Sequence, residues 1–495
     1  MNKNKKNKPN ARLFSALTLA VVTPAFVIPM AEPTLANTNL DSALIQPVAA
    51  VTDFRDVPVN HWAYESIVKA SRQGLVEGYN GLFRPNGEVT RAELATFLSR
   101  VFDGTERGSH TFIDVPQDHW AIDAINEGIE LGFIKPNDYK NNKFGPDQAM
   151  TRDEIVKWLV NGLVSKNLEY GTILEELDSD LTLLPVTEFY KGGLKKEDIP
   201  YFGVAIGTGL ITGYSDFSIR PSGKTSRSEV VAMLFRIQDI LSKEPNLFSD
   251  LNELREVATT GTNILTLTNY EKARFGDDNG IWDRVMEDAA NKKNMNLDEY
   301  LKMEFGEGFK YPVSGEEIGG FEDVLGKPYT LNNKRAVNTI ERAIFVDTRG
   351  SQAKGVYKDM FFNADPKQKV FGERLNKNYY SVYYEYTTTP NQKTTLNSMY
   401  NGSTKGQVGD FLINSVNAEQ FGITTPRTID GWYYEKGENG IFEKITDDFF
   451  TKGKTVRYWA VQIAGSKAID DPFSSDDKIS GTTDDGIRYS YEILK

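Results

Sequence analysis

Apolar positions recur at helical spacing directly after short polar starts. Leu94, Phe97, Leu98 and Val101 follow the run Thr90 to Glu93, and Val230, Met233, Leu234 and Ile237 follow Ser226 to Glu229. That spacing lines one face of a helix. A third start, Thr151 to Glu154, has the same form. In each, a hydroxyl and a carboxylate three residues apart fit the capping box, in which the two side chains satisfy free amides at a helix start. Thr90, Glu93, Thr151, Glu154, Ser226 and Glu229 are therefore read as structural, and equivalent helix faces imply a shared bundle. Beyond residue 255 the pattern changes. Tyr379 to Thr389, Val456 to Ala464 and Ile487 to Leu494 are heavy in aromatic and β-branched residues and predict strands. Thr262 to Thr268 reads as a polar strand, and Trp282 to Asn294 and Leu297 to Phe305 as short helices. The fold expected is multidomain, an α-helical repeat region followed by an α+β module (255–495) with a substantial antiparallel sheet.

The first region is internally repeated, the strongest organising signal in the chain. Residues 54–102 begin FRDVPVNHWA and residues 112–160 begin FIDVPQDHWA; Trp62 precedes Gly74 by 12 positions, as Trp120 precedes Gly132. Arg91 and Arg152 lie 61 positions apart, and Arg227 follows after a longer interval of 75. The third copy keeps Gly209, Gly213 and Arg227 but lacks Asp-Val-Pro and His-Trp. The inserted stretch Leu174 to Asp180 reads as a solvated acidic segment. The copies are assigned to 54–105, 112–165 and 185–240.

Each arginine sits at the first helical position, where free amides and the helix dipole already favour an anion. A cation repeated there suggests a ligand bearing a carboxylate or phosphate, held by charge-assisted hydrogen bonds; a solvated arginine covering apolar surface is the structural alternative. Trp62 and Trp120 either seat the first helix in the core, the reading favoured here, or present a stacking face to sugar. Gly74, Gly78, Gly132, Gly209 and Gly213 mark helix ends and tight turns where backbone approaches a ligand closely. His61 and His119 read as braces of the turn before the first helix.

The motif order FRDVPVNHWA, GLVEGY, LFRPN and TRAE in the first copy, with FIDVPQDHWA, FGPD and TRDE in the second, resembles the S-layer homology family over roughly residues 54 to 238. The resemblance implies a pseudo-threefold assembly whose grooves bind pyruvylated secondary cell-wall polysaccharide of Gram-positive bacteria. It implies that Arg91 and Arg152, with Arg227 matching in the divergent copy, hold the ketal-pyruvate carboxylate. Gly74, Gly78, Gly132, Gly209 and Gly213 would line the sugar site, and Trp62 and Trp120 the groove or its wall. The protein would then be secreted, at the cell wall, as an S-layer or S-layer-associated protein that joins or builds a lattice.

Charge and composition narrow the rest. Net charge is −12, a poor match to nucleic-acid backbone. With no cysteine and three histidines, the last at His119, the C-terminal module has neither thiol nor imidazole chemistry, and no cofactor is called for. A carboxylate-dependent wall glycoside hydrolase remains an alternative, with Asp347, Glu385, Glu435 and Glu443 eligible; a surface adhesin is another. Tyr383, Tyr384 and Tyr386, with Trp432, Tyr433 and Tyr434, either fill a core, as strand alternation favours, or form a binding surface. Asp470-Asp471, Asp476-Asp477 and Asp484-Asp485 read as a solvated turn, with Asp476, Asp477, Asp484 and Asp485 a weak calcium candidate. At the N-terminus, Lys3, Lys5, Lys6, Lys8 and Arg12 precede the apolar run Leu13 to Val22 and the small-residue step Thr34-Leu35-Ala36. This predicts a signal peptide over 1–36. No later stretch approaches the ~20 apolar residues of a membrane span, so no transmembrane anchor is expected.

Overall fold

A computed structural model describes residues 54–102, 110–267, 271–272, 281–305, 325–330, 336–347, 353–361, 380–393, 434–436, 442–444, 450–463, 478–482 and 488–492. The signal-peptide segment, Trp432, Tyr433 and the paired aspartates from Asp470 to Asp485 lie outside them. The first copy contributes α1 (Tyr64–Arg72) and α2 (Arg91–Phe102), and the second α3 (Ile122–Glu130) and α4 (Arg152–Lys166). An insertion carries α5 (Glu169–Leu177). The third copy contributes α6 (Thr187–Lys191), α7 (Ile199–Gly207) and α8 (Arg227–Leu241).

The capping boxes are formed. Thr90 N donates to Glu93 Oε2 at 3.0 Å while Glu93 N donates to Thr90 Oγ1 at 3.2 Å; Ser226 and Glu229 exchange the same bonds at 2.8 and 3.3 Å. Thr151 N donates to Glu154 Oε2 at 2.9 Å. α1 and α3 start on the histidine turns: Ala63 N and Ala121 N donate to Nδ1 of His61 and His119, each at 3.2 Å. Leu94, Phe97 and Leu98 are buried, as are Val230, Met233, Leu234 and Ile237.

The amides that a capping box leaves free are taken by the loop of another copy. Arg91 N and Ala92 N donate to Gln148 O and Pro146 O of the second copy, at 3.1 and 3.0 Å. Arg152 N and Asp153 N donate to Gly223 O and Pro221 O of the third, both at 2.9 Å. Arg227 N and Ser228 N return to Gly87 O and Pro85 O of the first, at 2.9 and 3.1 Å. The contacts form a closed cycle, which isolated bridges Thr90↔Ala149, Thr151↔Lys224 and Glu88↔Ser226 reinforce.

The insertion is not simply a solvated acidic segment. Ile173 and Leu177 of α5 are buried, and Arg255 Nε donates to Glu176 Oε2 at 2.6 Å. Apolar residues at helical spacing turned the segment inward despite its acids. Arg255 belongs to α9 (Ser249–Thr260), which packs on α5 and α7. The approach to α7 is close enough that a Cβ on Gly207 would lie 2.6 Å from Leu251 Cα.

After α9, Thr262 makes one parallel bridge to Ala343, but the expected strand over 262–268 gives way to α10 (Ile264–Leu267). The cause is local: the Glu256 carboxylate accepts Leu265 N and Thr266 N at 2.8 and 2.7 Å, satisfying amides at a helix start. β1 (Glu271–Lys272), α11 (Ile281–Lys292) and α12 (Leu297–Phe305) follow, the last two matching the expected helices. The main sheet is antiparallel in the order β2 (Pro328–Thr330), β3 (Ala336–Asp347), β4 (Tyr380–Pro390) and β7 (Val456–Ile463), with α13 (Lys358–Phe361) beside β3. β5 (Tyr434–Lys436) pairs β6 (Phe442–Lys444), and β8 (Lys478–Thr482) and β9 (Arg488–Glu492) form a sheet with β1. Tyr383, Tyr384 and Tyr386 are all buried, so these three fill the core rather than offer a binding surface.

One continuous buried cluster runs from Phe54 to Trp459 and includes helices and main sheet alike. The seam is polar as well. Arg342 of β3 donates to the carbonyls of Asp180, Leu181 and Thr182 at 2.7, 2.8 and 3.5 Å, and Tyr357 Oη donates to Leu183 O at 2.9 Å. Four consecutive carbonyls of the insertion are thus satisfied by C-terminal side chains. No helix among the described residues is long and apolar enough to cross a membrane.

Candidate functional site

The three arginines occupy equivalent places and point away from their own helices. Arg91 Nη2 donates to Glu154 Oε1 at 2.6 Å, and its Nη1 to Phe144 O and Gln148 Oε1 at 2.7 and 2.9 Å. Arg227 donates through Nη1 to Glu93 Oε1 at 2.5 Å, through Nε to Phe83 O at 2.8 Å and through Nη2 to Glu77 O at 2.9 Å. Arg152 reaches Glu229 Oε1 only at 3.6 Å and Thr212 O at 3.3 Å. Each arginine therefore faces the capping glutamate of the next copy, which resolves the opposition between cation and helix dipole. Glu93, Glu154 and Glu229 each cap their own helix and accept from another copy.

This geometry changes the basis of the anion inference. The first amides of the three helices, taken above as free, are bonded to carbonyls, and Arg91 and Arg227 each donate three hydrogen bonds to protein groups. Their pKa directions follow. Burial raises Glu154, but the Thr151 amide and Arg91 outweigh it and hold the carboxyl below its ordinary value. Burial lowers Arg227 despite the opposing pull of Glu93.

A second set of carboxylates, not singled out in the sequence, fixes the loops that receive the arginines. Asp56 accepts Phe83 N and Arg84 N at 2.8 and 2.6 Å. Asp114 accepts Phe144 N and Gly145 N, both at 2.8 Å. In the third copy Glu188 accepts Ile219 N and Arg220 N at 3.1 and 2.8 Å. Glu188 thus replaces the missing Asp-Val-Pro aspartate. The separations of carboxylate and first amide, 27, 30 and 31 positions, are the signal that would have found it.

Trp62 and Trp120 are 65% and 63% exposed, which overturns the favoured reading that they seat the first helix in the core. His61 and His119 stack on them with centroids 5.8 and 5.6 Å apart, so the indoles project from a braced turn with their faces partly in solvent. Gly74, Gly132 and Gly209 have φ of 70°, 75° and 72° at the ends of α1, α3 and α7, and a Cβ on any of them would meet nothing within 4 Å. Gly78 is different: a Cβ there would lie 2.5 Å from the Phe54 ring and from Leu82 O, a packing requirement. Gly213 lies under Ser218 O, 3.3 Å from where a Cβ would stand.

In the C-terminal part, Glu385 is buried between Arg342 and Arg457, and buried Asp347 accepts Lys354 N at 3.1 Å. Glu435 and Glu443 are register partners in β5 and β6. Among the described residues no group of three or more acidic or histidine side chains is placed to hold a metal.

Comparison with known proteins agrees with the motifs. Residues 53–95 and 111–156 match the S-layer homology domain; the third copy lies outside the matched residues. The chain is 29% identical over 38% of its length to cell surface glycoprotein 1 of Acetivibrio thermocellus, covering 8% of that protein. It is 25% identical over 43% of its length to the surface-layer 125 kDa protein of Lysinibacillus sphaericus, covering 17% of it. To the cellulosome-anchoring protein of A. thermocellus it is 27% identical over 33% of its length, covering 35% of that protein. The chain thus spans little more than a third, at most, of these relatives. It carries S-layer homology domains and is similar to surface-layer and cell-surface proteins.

Proposed function

We propose that the S-layer homology copies attach this protein non-covalently to the bacterial cell wall and carry residues 255–495 on the surface, as an S-layer or S-layer-associated component. The ligand is pyruvylated secondary cell-wall polysaccharide, and the three copies act together as a pseudo-threefold anchor. Residues 1–36 direct export. The observation that carries the reading is the closed cycle of copies, each presenting a cation at a helix start beside the braced loop of the next. Exposed Trp62 and Trp120 supply the apolar faces on which sugar rings stack. The similarity to a cellulosome-anchoring protein and to a surface-layer protein supports attachment at the surface.

The test is calorimetric titration of the full chain with purified wall polysaccharide, before and after acid removal of its pyruvate. Saturable binding lost with the pyruvate supports the reading. Equal binding by the stripped polymer contradicts the carboxylate assignment, and no binding to either contradicts the ligand.

A further inference from the structure

The first copy reverses direction at Asn80-Gly81. Tyr79 and Leu82 exchange backbone bonds at 2.9 and 3.1 Å across the pair, and Asn80 and Gly81 have φ of 53° and 73°, as a two-residue hairpin turn with both central residues left-handed requires. The second copy has Asn141-Asn142 in the same place: Ile113 N donates to Asn142 O as Arg55 N donates to Gly81 O, each at 3.0 Å. The third copy has Asp216-Phe217 there. Asparagine followed by glycine is thus found at this turn in the first copy alone.

That dipeptide has a chemistry of its own. The amide nitrogen after the asparagine attacks the side-chain carbonyl carbon, closing a five-membered succinimide and expelling ammonia; glycine, lacking Cβ, leaves the approach open. Water then opens the ring at either carbonyl, giving aspartate or an isoaspartate whose main chain runs through the former side chain. The net change is loss of ammonia and gain of water, and no other reactant is needed.

Local geometry favours the reaction here. Asn80 is exposed, and neither its side-chain amide nor Gly81 N makes a hydrogen bond among the described residues. The Asn80 carbonyl, part of the same peptide unit as Gly81 N, accepts Arg55 Nη2 at 2.7 Å. The attacking nitrogen must first lose its proton, and the negative charge that results is shared with this carbonyl oxygen, where the guanidinium stabilises it. The other Asn-Gly pairs among the described residues differ. Gly87 N, after Asn86, donates to Arg84 O at 2.9 Å, and Asn161-Gly162 lies inside α4 with Gly162 packed on the Phe102 ring. Asn279-Gly280, Asn401-Gly402 and Asn439-Gly440 lie outside the described residues.

We infer that Asn80-Gly81 is a self-modification site, promoted by Arg55, at which asparagine converts to aspartate and isoaspartate as the protein ages. The consequence reaches the third copy. The turn leads into Phe83 to Gly87, where the carbonyls of Phe83, Pro85 and Gly87 accept Arg227 Nε, Ser228 N and Arg227 N. An isoaspartate lengthens the main chain within a turn of only two residues, so the segment that receives Arg227 shifts and the cycle of copies loosens at that contact. The reaction requires no wall ligand.

The experiment ages the full chain in mildly alkaline buffer and follows each Asn-Gly peptide by mass, with isoaspartate read by enzymatic methylation. Asn80 should gain the mass of an amide-to-acid exchange about 2- to 10-fold faster than Asn86, the worth of the one hydrogen bond that restrains Gly87 N, and Asn161 should stay intact. Arg55→Gln should slow conversion at Asn80 about 2- to 5-fold, as loss of an exposed charge interaction does, and Arg55→Lys should recover part of the rate. Aged protein should exchange the amide hydrogens of Arg227 and Ser228 faster than fresh protein. Asn80→Gly, which suits the left-handed turn and removes the reacting amide, should show no such change on ageing. Conversion at Asn86 as fast as at Asn80, or a rate at Asn80 indifferent to Arg55→Gln, would overturn the assignment. Unchanged exchange at Arg227 and Ser228 once Asn80 has converted would overturn the coupling to the third copy.

Discussion

Arg227 of the third copy donates to Glu93 of the first across 134 positions of sequence, at 2.5 Å. That bond closes the cycle of copies. Arg227 is buried and also satisfies the carbonyls of Phe83 and Glu77, so its removal leaves a partly buried carboxylate and two carbonyls without partners. Arg227→Met is expected to destabilise the protein by about 3 to 5 kcal/mol, measured by urea unfolding. A double-mutant cycle with Glu93→Gln should give a coupling of about 0.5 to 3 kcal/mol; additive losses would mean that the pair does not hold the cycle together.

Glu188 supports the third copy as Asp56 supports the first. Glu188→Ala strips two loop amides of their acceptor, including that of buried Ile219. A loss of about 1 to 3 kcal/mol is expected from the unsatisfied donor, whereas neighbouring Thr187→Val should cost less, since the Thr187 hydroxyl bond is exposed. Equal losses would deny Glu188 its role.

The helical starts were legible in the sequence because a capping box and a 3.6-residue apolar period are local signals. The strands at Tyr380–Pro390 and Val456–Ile463 were legible through aromatic and β-branched content. What each arginine touches was not, because its partners lie in another copy, more than 50 positions away. Trp62 and Trp120 misled in the other direction: bulk argues for burial, but the stacked histidine turn holds them outward. The docking of the sheet was also hidden, since Arg342 and Tyr357 recognise main-chain carbonyls, which every residue has.

That docking makes a separate prediction. Arg342→Met removes three carbonyl contacts and one of the two cations beside buried Glu385, and should cost about 3 to 5 kcal/mol in urea unfolding. Tyr357→Phe should cost only about 0.5 to 1.5 kcal/mol, the worth of a single hydrogen bond. A near-neutral Arg342→Met would show that the seam rests on apolar burial alone.

Glu253 makes the same region sensitive to pH. This buried side chain accepts Asn263 Nδ2 at 2.6 Å and Val356 N at 2.7 Å. Burial, aided by Asp250 and Glu256, nevertheless pushes its pKa up to about 7. A raised carboxyl holds its proton in the folded state after the unfolded chain has lost it. Its contribution is therefore full below the ordinary glutamate pKa and falls as pH rises to about 7. Glu253→Gln should flatten this part of the stability profile between pH 5 and about 7; it should cost about 1 to 3 kcal/mol at pH 5, because its amide group opposes one of the two donors, and the cost should shrink as pH rises and the wild type loses its own contribution. Unfolding in urea at several pH values measures both; an unchanged slope in the variant would assign the pH dependence elsewhere.

Attachment to the wall is the central claim, and co-sedimentation of the full chain with purified cell-wall sacculi tests it most directly. The protein should pellet with intact sacculi and remain in the supernatant once the secondary polysaccharide has been extracted from them. Equal pelleting with extracted sacculi would place the ligand in the peptidoglycan, and failure to pellet with intact sacculi would contradict the anchor itself.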